Sequence, residues 1–293
     1  MRWGRRFACL CYTLAALAAL LCAAAAPQRI VSISPTVTEI LYGVGAFDRV
    51  VAVTEYCLYP PEAKALPKVG GWSTPSVERV ASFHPDLVAF SEAQAPFLEP
   101  QLKQLGVRTV LAPSRTLQDA FTAIEDIGKA TGHERQAAAL AAQTRAALEA
   151  VRRRAAGLAR PKVLLIVDRT PGTLREMYAA LPGSFLAELV NLAGGAMPPG
   201  LAGSGYGKVS AETVLAANPD IILDVMPSSK GDAGPDPAAA WRELPELNAV
   251  RRGSVHVVRD EFVSHDSQMI ARTAVRFARL LHPEVPAAEW EAR

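Results

Sequence analysis

The sequence predicts an α/β protein of two Rossmann-like lobes with mostly parallel sheets, joined by one long backbone helix, with a ligand cleft between the lobes. Three observations carry this. From His133 to Leu158 the chain runs 26 residues with no proline and a single glycine, Gly157, and is dense in Ala, Leu, Gln, Glu and Arg, all strong helix formers. The sequence repeats on either side of that stretch: residues 76–88 (SVERVASFHPDLV) align without a gap with residues 210–222 (SAETVLAANPDII). The apolar runs Arg29-Ile30-Val31-Ser32-Ile33 and Lys162-Val163-Leu164-Leu165-Ile166 precede the two copies at nearly the same separation. The division that follows is a leader over residues 1–26, an N-terminal lobe over 27–131, the linking helix over 132–158 and a C-terminal lobe over 159–293.

At the start, Arg2, Arg5 and Arg6 precede an apolar stretch from Phe7 to Cys22, and four alanines, Ala23 to Ala26, offer small residues for cleavage. This is the pattern of a secretory signal and predicts export; an uncleaved anchor is the alternative, because the apolar run approaches spanning length. Cleavage removes three arginines and no acids, so the formal charge goes from +2 to −1. A near-neutral chain without a basic stripe lacks the electrostatic footprint of a nucleic-acid binder. Cys9, Cys11 and Cys22 leave with the signal, and the remaining thiol, Cys57, cannot form an internal disulfide. The roughly 265 residues that remain are enough to bury a large core without such a staple, and the chain reads as a monomer.

The first lobe opens with a strand over Ile30–Ser34. Ser34-Pro35-Thr36 then leads into a short helix from Val37 to Tyr42, stopped by Gly43 and Gly45. A strand over Val50–Thr54 runs into the loop Glu55-Tyr56-Cys57-Leu58-Tyr59-Pro60-Pro61. The first repeat copy supplies a helix capped by Ser76, a break at Pro85-Asp86 and a strand over Leu87–Phe90. A helix over Phe97–Leu105 and a strand over Val107–Leu111 complete an alternating βα pattern, which implies a mostly parallel sheet.

In the linking stretch Ala137, Leu140, Ala141, Thr144, Ala147, Leu148 and Val151 form one apolar stripe, with arginines on the other side and in the last turns. It should run about 40 Å as a single helix. The second lobe then repeats the plan: strand Val163–Val167, helix Gly183–Leu192, the second repeat copy, strand Ile221–Val225, strand Val255–Val258 and a last helix from Met269 to Leu281. The glycine-rich stretch from Gly194 to Gly207 is not a phosphate loop, since it follows a helix and lacks the Gly-Lys-Ser/Thr ending. A loop from Pro227 to Pro237 reads as solvent-exposed.

No enzyme signature is present: there is no HExxH, no Gly-x-Ser-x-Gly and no paired-cysteine zinc motif, and the five histidines stand singly. Glu78 and Glu212 occupy the same position in the two repeat copies, two residues after a capping serine. Two readings stand side by side: a carboxylate complementing each helix dipole, or a matched pair of exposed acids presented to a pseudo-symmetric partner.

Nearly all of the mature chain, from Arg29 to about Pro283, resembles the long-helix (class III) periplasmic substrate-binding proteins of ABC importers, which serve vitamin B12, haem and ferric siderophores. The likeness rests on RIVSISPTVTEILYGVGAFDRVVAV, EYCLYPPEAKALPKVGGW, SVERVASFHPDLV, YAALPGSFLAELVNLAGG, SAETVLAANPDII and WRELPELNAVRRGSVHVV. The Tyr56–Pro61 loop followed by Gly71-Trp72 and Ser76-Val77-Glu78-Arg79 is most similar to the cobalamin-binding members. Before the last helix, where many relatives carry Gly-Pro-Arg, this chain has His265-Asp266-Ser267-Gln268-Met269.

The resemblance implies a non-enzymatic protein without a cofactor of its own, delivering a corrinoid to the permease dimer of an inner-membrane ABC importer, with haem or a ferric siderophore as alternatives. It implies that Tyr56 and Trp72 line the cleft and that Glu78 and Glu212 dock onto the permease. A large flat ring calls for aromatic faces, and Tyr178 is the candidate from the second lobe. Pro35 and Thr36, beyond the first strand, complete the expected ligand-binding set with Cys57 and His265. The latter two follow strand ends of opposite lobes, where ligands bind in open α/β sheets, and either is competent as an axial ligand to cobalt or iron. A reading from another class makes the chain a two-lobed metalloenzyme subunit with Cys57 and His265 around a cluster, for which one thiol is too few.

Overall fold

Strand β1 (Ile30–Ser32) is buried along its whole length and sits inside the first sheet, paired in parallel with β2 (Val50–Val53) on one side and β3 (Leu87–Ser91) on the other. Strand β4 (Thr109–Ala112) adds to β3, giving a four-stranded, all-parallel sheet of order β2-β1-β3-β4. The computed structural model describes residues 26–226 and 236–291. The expected leader, apart from Ala26, and all but the end of the Pro227–Pro237 loop lie outside the described residues. Among those described, no helix is long and apolar enough to cross a membrane.

Helix α1 (Pro35–Gly43) starts two residues earlier than its sequence suggests, because proline is tolerated where the amide would lack a partner anyway. Ser34 caps it, its Oγ accepting from the Val37 amide. Helix α2 (Val77–Ser82) is capped by Ser76 as the repeat implies, and α3 (Ala95–Leu105) ends on left-handed Gly106. A further helix, α4 (Leu117–Thr131), lies where the sequence reading placed no element. Its ends are nonetheless written locally: Thr116 and Asp119 form a reciprocal capping box, and Gly132 (φ 75°) closes it.

The linking helix α5 covers Glu134–Ala155. Its 22 residues span about 33 Å, shorter than expected, because the backbone turns extended at Ala156 and left-handed at Gly157. Ala137, Ala141, Thr144, Leu148, Val151 and Ala155 are buried. At Gly128 of α4 a Cβ would stand 2.2 Å from that of Ala137, so the two helices pack closely only because residue 128 is glycine.

The second sheet departs from the expected plan. Strands β5 (Val163–Asp168), β8 (Ile221–Val225) and β9 (Val255–Val258) are parallel, but β6 (Tyr178–Ala180) and β7 (Tyr206–Lys208) run antiparallel, for an order of β7-β6-β5-β8-β9. A loop rather than a helix joins β5 to β6, which permits the reversal. Helices α6 (Phe185–Leu192), α7 (Ala211–Ala217), α8 (Asn248–Arg251) and α9 (Ile270–Leu281) complete this half. One hydrophobic core runs through both halves, from Ile30 and Ile40 through Ile124 and Leu148 to Leu189 and Phe277. Bending the molecule between its sheets would therefore disrupt packed side chains as well as α5 itself.

The repeat has a structural cause. Asp86 accepts hydrogen bonds from the amides of Gln28 and Arg29, and Asp220 accepts from the amide of Lys162, so each Pro-Asp pins the entrance of its lobe's first strand. Just before each proline, His84 (φ 46°) and Asn218 (φ 39°) take the left-handed conformation that turns helix into strand.

Candidate functional site

Between the sheets lies a cavity of about 1030 Å³, at the upper end of the range for small-molecule sites. Its walls are the segments that leave the carboxyl ends of strands in both lobes: residues 34–36 after β1, Tyr56 after β2, Ser91 and Ala93 at β3, Val167 to Arg169 at β5, Met226 after β8 and residues 264–266 after β9.

Lobe one contributes Tyr56, 44% exposed, and Trp72. The Trp72 ring packs edge-on against Phe97, centroids 6.2 Å apart, and its carbonyl accepts a 2.7 Å hydrogen bond from Gln94 Nε2. The same Gln94 nitrogen donates to the Ile33 carbonyl at 2.9 Å, which ties the Trp72 loop to the end of β1. Pro35 and Thr36, at the start of α1, also face the cavity. Lobe two contributes Tyr178, and with it Phe185 and Tyr206, which the sequence reading did not single out. Tyr206, 41% exposed, keeps its ring partly open to the cavity; desolvation first, then the charge of Asp266, raises its phenol above the ordinary value. Of the short β6 and β7, only a tyrosine on each lines the cleft, so the antiparallel addition to the sheet is what places these rings.

Cys57 is not in the cleft. The thiol is fully buried in the core of lobe one, where Thr38 Oγ1 donates to Sγ at 3.2 Å and Thr54 Oγ1 lies at the same distance. Burial raises its pKa, outweighing the two threonines that favour the thiolate. The loop after β2 turns back at Thr54, so that consecutive Tyr56 and Cys57 point to opposite sides, one to the cavity and one to the core. An axial or cluster ligand at Cys57 is thereby excluded. Among the described residues no three His, Cys, Asp or Glu side chains are grouped to hold a metal ion.

His265 does line the cavity, with 17% of its side chain exposed. Its Nδ1 lies 2.7 Å from Oε1 of Glu39, a buried carboxylate on α1 that also accepts from the Ser267 hydroxyl. Burial works against the imidazolium, but the charge and hydrogen bond of Glu39 outweigh it and raise the pKa of His265. Next to it Asp266, 5% exposed and also at the cavity wall, accepts from Thr36 Oγ1 at 2.8 Å. Arg169 reaches the wall as well, yet its guanidinium is fully engaged: it meets Asp224 Oδ2 at 2.8 Å and donates to the carbonyls of Thr173 and Pro237.

Glu78 and Glu212 stand exposed on α2 and α7. The Ser76 hydroxyl donates to Glu78 Oε2 at 2.9 Å. Both carboxyls are held below their ordinary pKa, Glu78 by its own backbone amide and then Ser76, Glu212 by Ser210 and then its own amide. The capping reading thus has its geometry, and it leaves both carboxylates accessible to solvent.

The family described as periplasmic binding protein matches residues 30–261. An uncharacterized ABC transporter substrate-binding lipoprotein of Bacillus subtilis (strain 168), YvrC, is 28% identical over 267 residues, covering 88% of this chain and 81% of the relative. The crystal structure of the periplasmic vitamin B12 binding protein BtuF of Vibrio cholerae superposes with a TM-score of 0.73 at 25% identity, over 88% of this chain and 97% of that one. The periplasmic heme-binding protein RhuT from Roseiflexus sp. RS-1, in apo form, superposes with a TM-score of 0.75 at 24% identity, over 87% and 98%, a likeness of fold.

Proposed function

Because this chain belongs to the periplasmic binding protein family of ABC importers, we propose that it captures a corrinoid in the periplasm and delivers it to the permease dimer of an inner-membrane importer. The observation that carries the ligand class is the cleft itself: about 1030 Å³, walled by Tyr56 and Trp72 from one lobe and Tyr178, Phe185 and Tyr206 from the other. Aromatic side chains from both lobes suit a large flat ring that binds by stacking and shape. Similarity to a vitamin B12 binding protein supports a corrinoid within that class. Haem or a ferric siderophore is the alternative within the family, and the likeness of fold to a heme-binding protein keeps haem in the comparison. The arginine-headed apolar leader supports export. Glu78 and Glu212 are the docking acids of this reading, one exposed on each lobe. Titration of the purified protein with cobalamin, haemin and a ferric siderophore, followed by absorbance, tests the ligand: stoichiometric binding of cobalamin, returned unchanged, supports the proposal. Tighter binding of either other ligand overturns it.

A further inference from the structure

His265 carries the one imidazole at the cavity wall among the described residues, and its two ring nitrogens are in different situations. Nδ1 lies 2.7 Å from Oε1 of Glu39, an acceptor that reaches it from α1 of the other lobe. Glu39 is itself held in place: it is buried, Ser267 donates to its second oxygen, and Gln268 donates to its carbonyl. A carboxylate only accepts, so the proton of the neutral imidazole sits on Nδ1 and the lone pair on Nε2. Nε2 makes no hydrogen bond among the described residues and is not sealed from solvent, and the ring lines the cavity with 17% of the side chain exposed. The two sulfurs near the site are taken: Cys57 lies in the core, and Met226 Sδ accepts from Arg169 Nη2 at 3.2 Å. An imidazole with one nitrogen free and the other donating to a fixed carboxylate is the arrangement of a metal-ligating histidine, because the acceptor sets the tautomer and ring plane and raises the basicity of the free nitrogen.

Resting on the reading of the ligand as a metal-centred ring, we propose that His265 Nε2 is an axial ligand to the metal of the bound ring and that Glu39 is its positioning residue. With Co(III) the step is a ligand exchange. The Nε2 lone pair forms the Co–N bond as the Co–O bond to an axial water breaks; the water leaves intact, the Nδ1 proton stays donated to Glu39, and no electron is transferred. The cleft then selects rings with an exchangeable axial position over rings in which that position is blocked, a difference that stacking and shape read poorly.

The probes are aquocobalamin, whose axial water exchanges, and cyanocobalamin, whose cyanide does not; they share every peripheral group. The full protein should prefer aquocobalamin by more than about 10-fold, since losing the ligand bond costs at least what losing its supporting acceptor does. Bound aquocobalamin should take the absorbance bands of the adduct it forms with free imidazole. His265→Ala should erase both the preference and the band shift. Glu39→Gln should keep the shift and lower the preference by roughly 10-fold, the low end for a change behind a metal ligand. Should neither variant fold, wild-type protein labelled with 15N-histidine decides: one histidine Nε2 resonance should move with aquocobalamin and stay with cyanocobalamin. Equal affinity for the two cobalamins with unshifted bands overturns the inference and leaves the corrinoid reading standing, as do imidazole-type bands that persist in His265→Ala. A protein that ignores both cobalamins but binds haemin with bands that depend on His265 sinks the corrinoid reading and leaves this inference standing; binding of none of the three sinks both.

Discussion

His265 Nδ1 and Glu39 Oε1 lie 2.7 Å apart although 226 positions separate them, and they join the segment after β9 to helix α1 of the other lobe. The contact is one of a set. Thr36 donates to Asp266, Ser267 donates to the second oxygen of Glu39, and Gln268 Nε2 donates to the Glu39 carbonyl at 2.7 Å. Four consecutive residues, His265 to Gln268, thus clasp the N-terminal half of α1 at the base of the cleft. Together with the core shared through α5, this clasp resists opening. Ligand-free and ligand-bound protein should have nearly the same radius of gyration in solution scattering; a large contraction on adding ligand would show that the clasp and the helix do bend.

Removing Glu39 should be expensive for the fold. Glu39→Leu leaves the hydroxyl of Ser267 and the ring of His265 buried without their acceptor, and breaking a buried charged pair from one side costs about 3–5 kcal/mol. Denaturant unfolding measures this. A loss under 1 kcal/mol would mean that the neighbours find other partners by relaxing. Glu39→Gln, which keeps an oxygen and the shape, should lose less.

Stability should fall between about pH 4.5 and pH 7, and Asp266 should be a main cause of the lower part of that fall. Its folded pKa of about 6 lies above the ordinary 3.8, so its contribution is complete below about 4 and is lost as pH rises through 6. Two pKa units correspond to about 3 kcal/mol. His265, also raised, has the same sign: its contribution is present below 6.5 and disappears above its folded pKa. Glu78 and Glu212, held low, act the other way, but only as pH drops below about 4.5, outside this window. Asp266→Asn should flatten the decline between about pH 4.5 and 6, measured as unfolding free energy at each pH. An unchanged slope would remove Asp266 from the account.

The buried thiol gives a different kind of prediction. With Cys57 fully buried and its pKa raised, a thiol reagent such as a disulfide dye should label it no faster than the protein opens. Cys57→Ser should leave the absorbance of bound aquocobalamin or haemin at the parental position. A band shift in that variant would return the sulfur to the cleft.

The fold was legible where the sequence states local rules. Ser76 and Ser210 cap their helices, and the Pro-Asp of each copy anchors a strand, so the duplication shows in thirteen aligned residues. Tyr56, Trp72 and Tyr178 were legible as aromatic residues in loops or at strand ends. Strands β6 and β7 were not: each has three residues, too short for any periodicity to register, and their antiparallel pairing depends on the loop that replaces a helix after β5. Asp266 and Glu39 escaped for another reason, as did the contact that Thr36, already in the expected set, makes with Asp266. Each is unremarkable within its own element, and what defines it is a partner more than two hundred residues away. Cys57 was misplaced by one side-chain direction, since Tyr56 and Cys57 share a loop but not a face.

The duplicated glutamates allow capping and docking to be separated. Each is exposed, and each takes part in its helix cap, so a single substitution could disturb either role. Reversal of both, Glu78→Lys with Glu212→Lys, places positive charge at the two positions that this reading sets against basic groups of the permease. Replacement of both by glutamine removes the charge but keeps a side-chain oxygen near the capping serine. If the residues dock, the lysine pair should abolish ligand uptake through the importer, the glutamine pair should weaken it, and ligand affinity of the isolated protein should stay near wild type in both, because neither residue lines the cavity. If they only cap, the variants should differ in melting temperature and transport alike. Normal uptake by a folded lysine pair would remove the docking role.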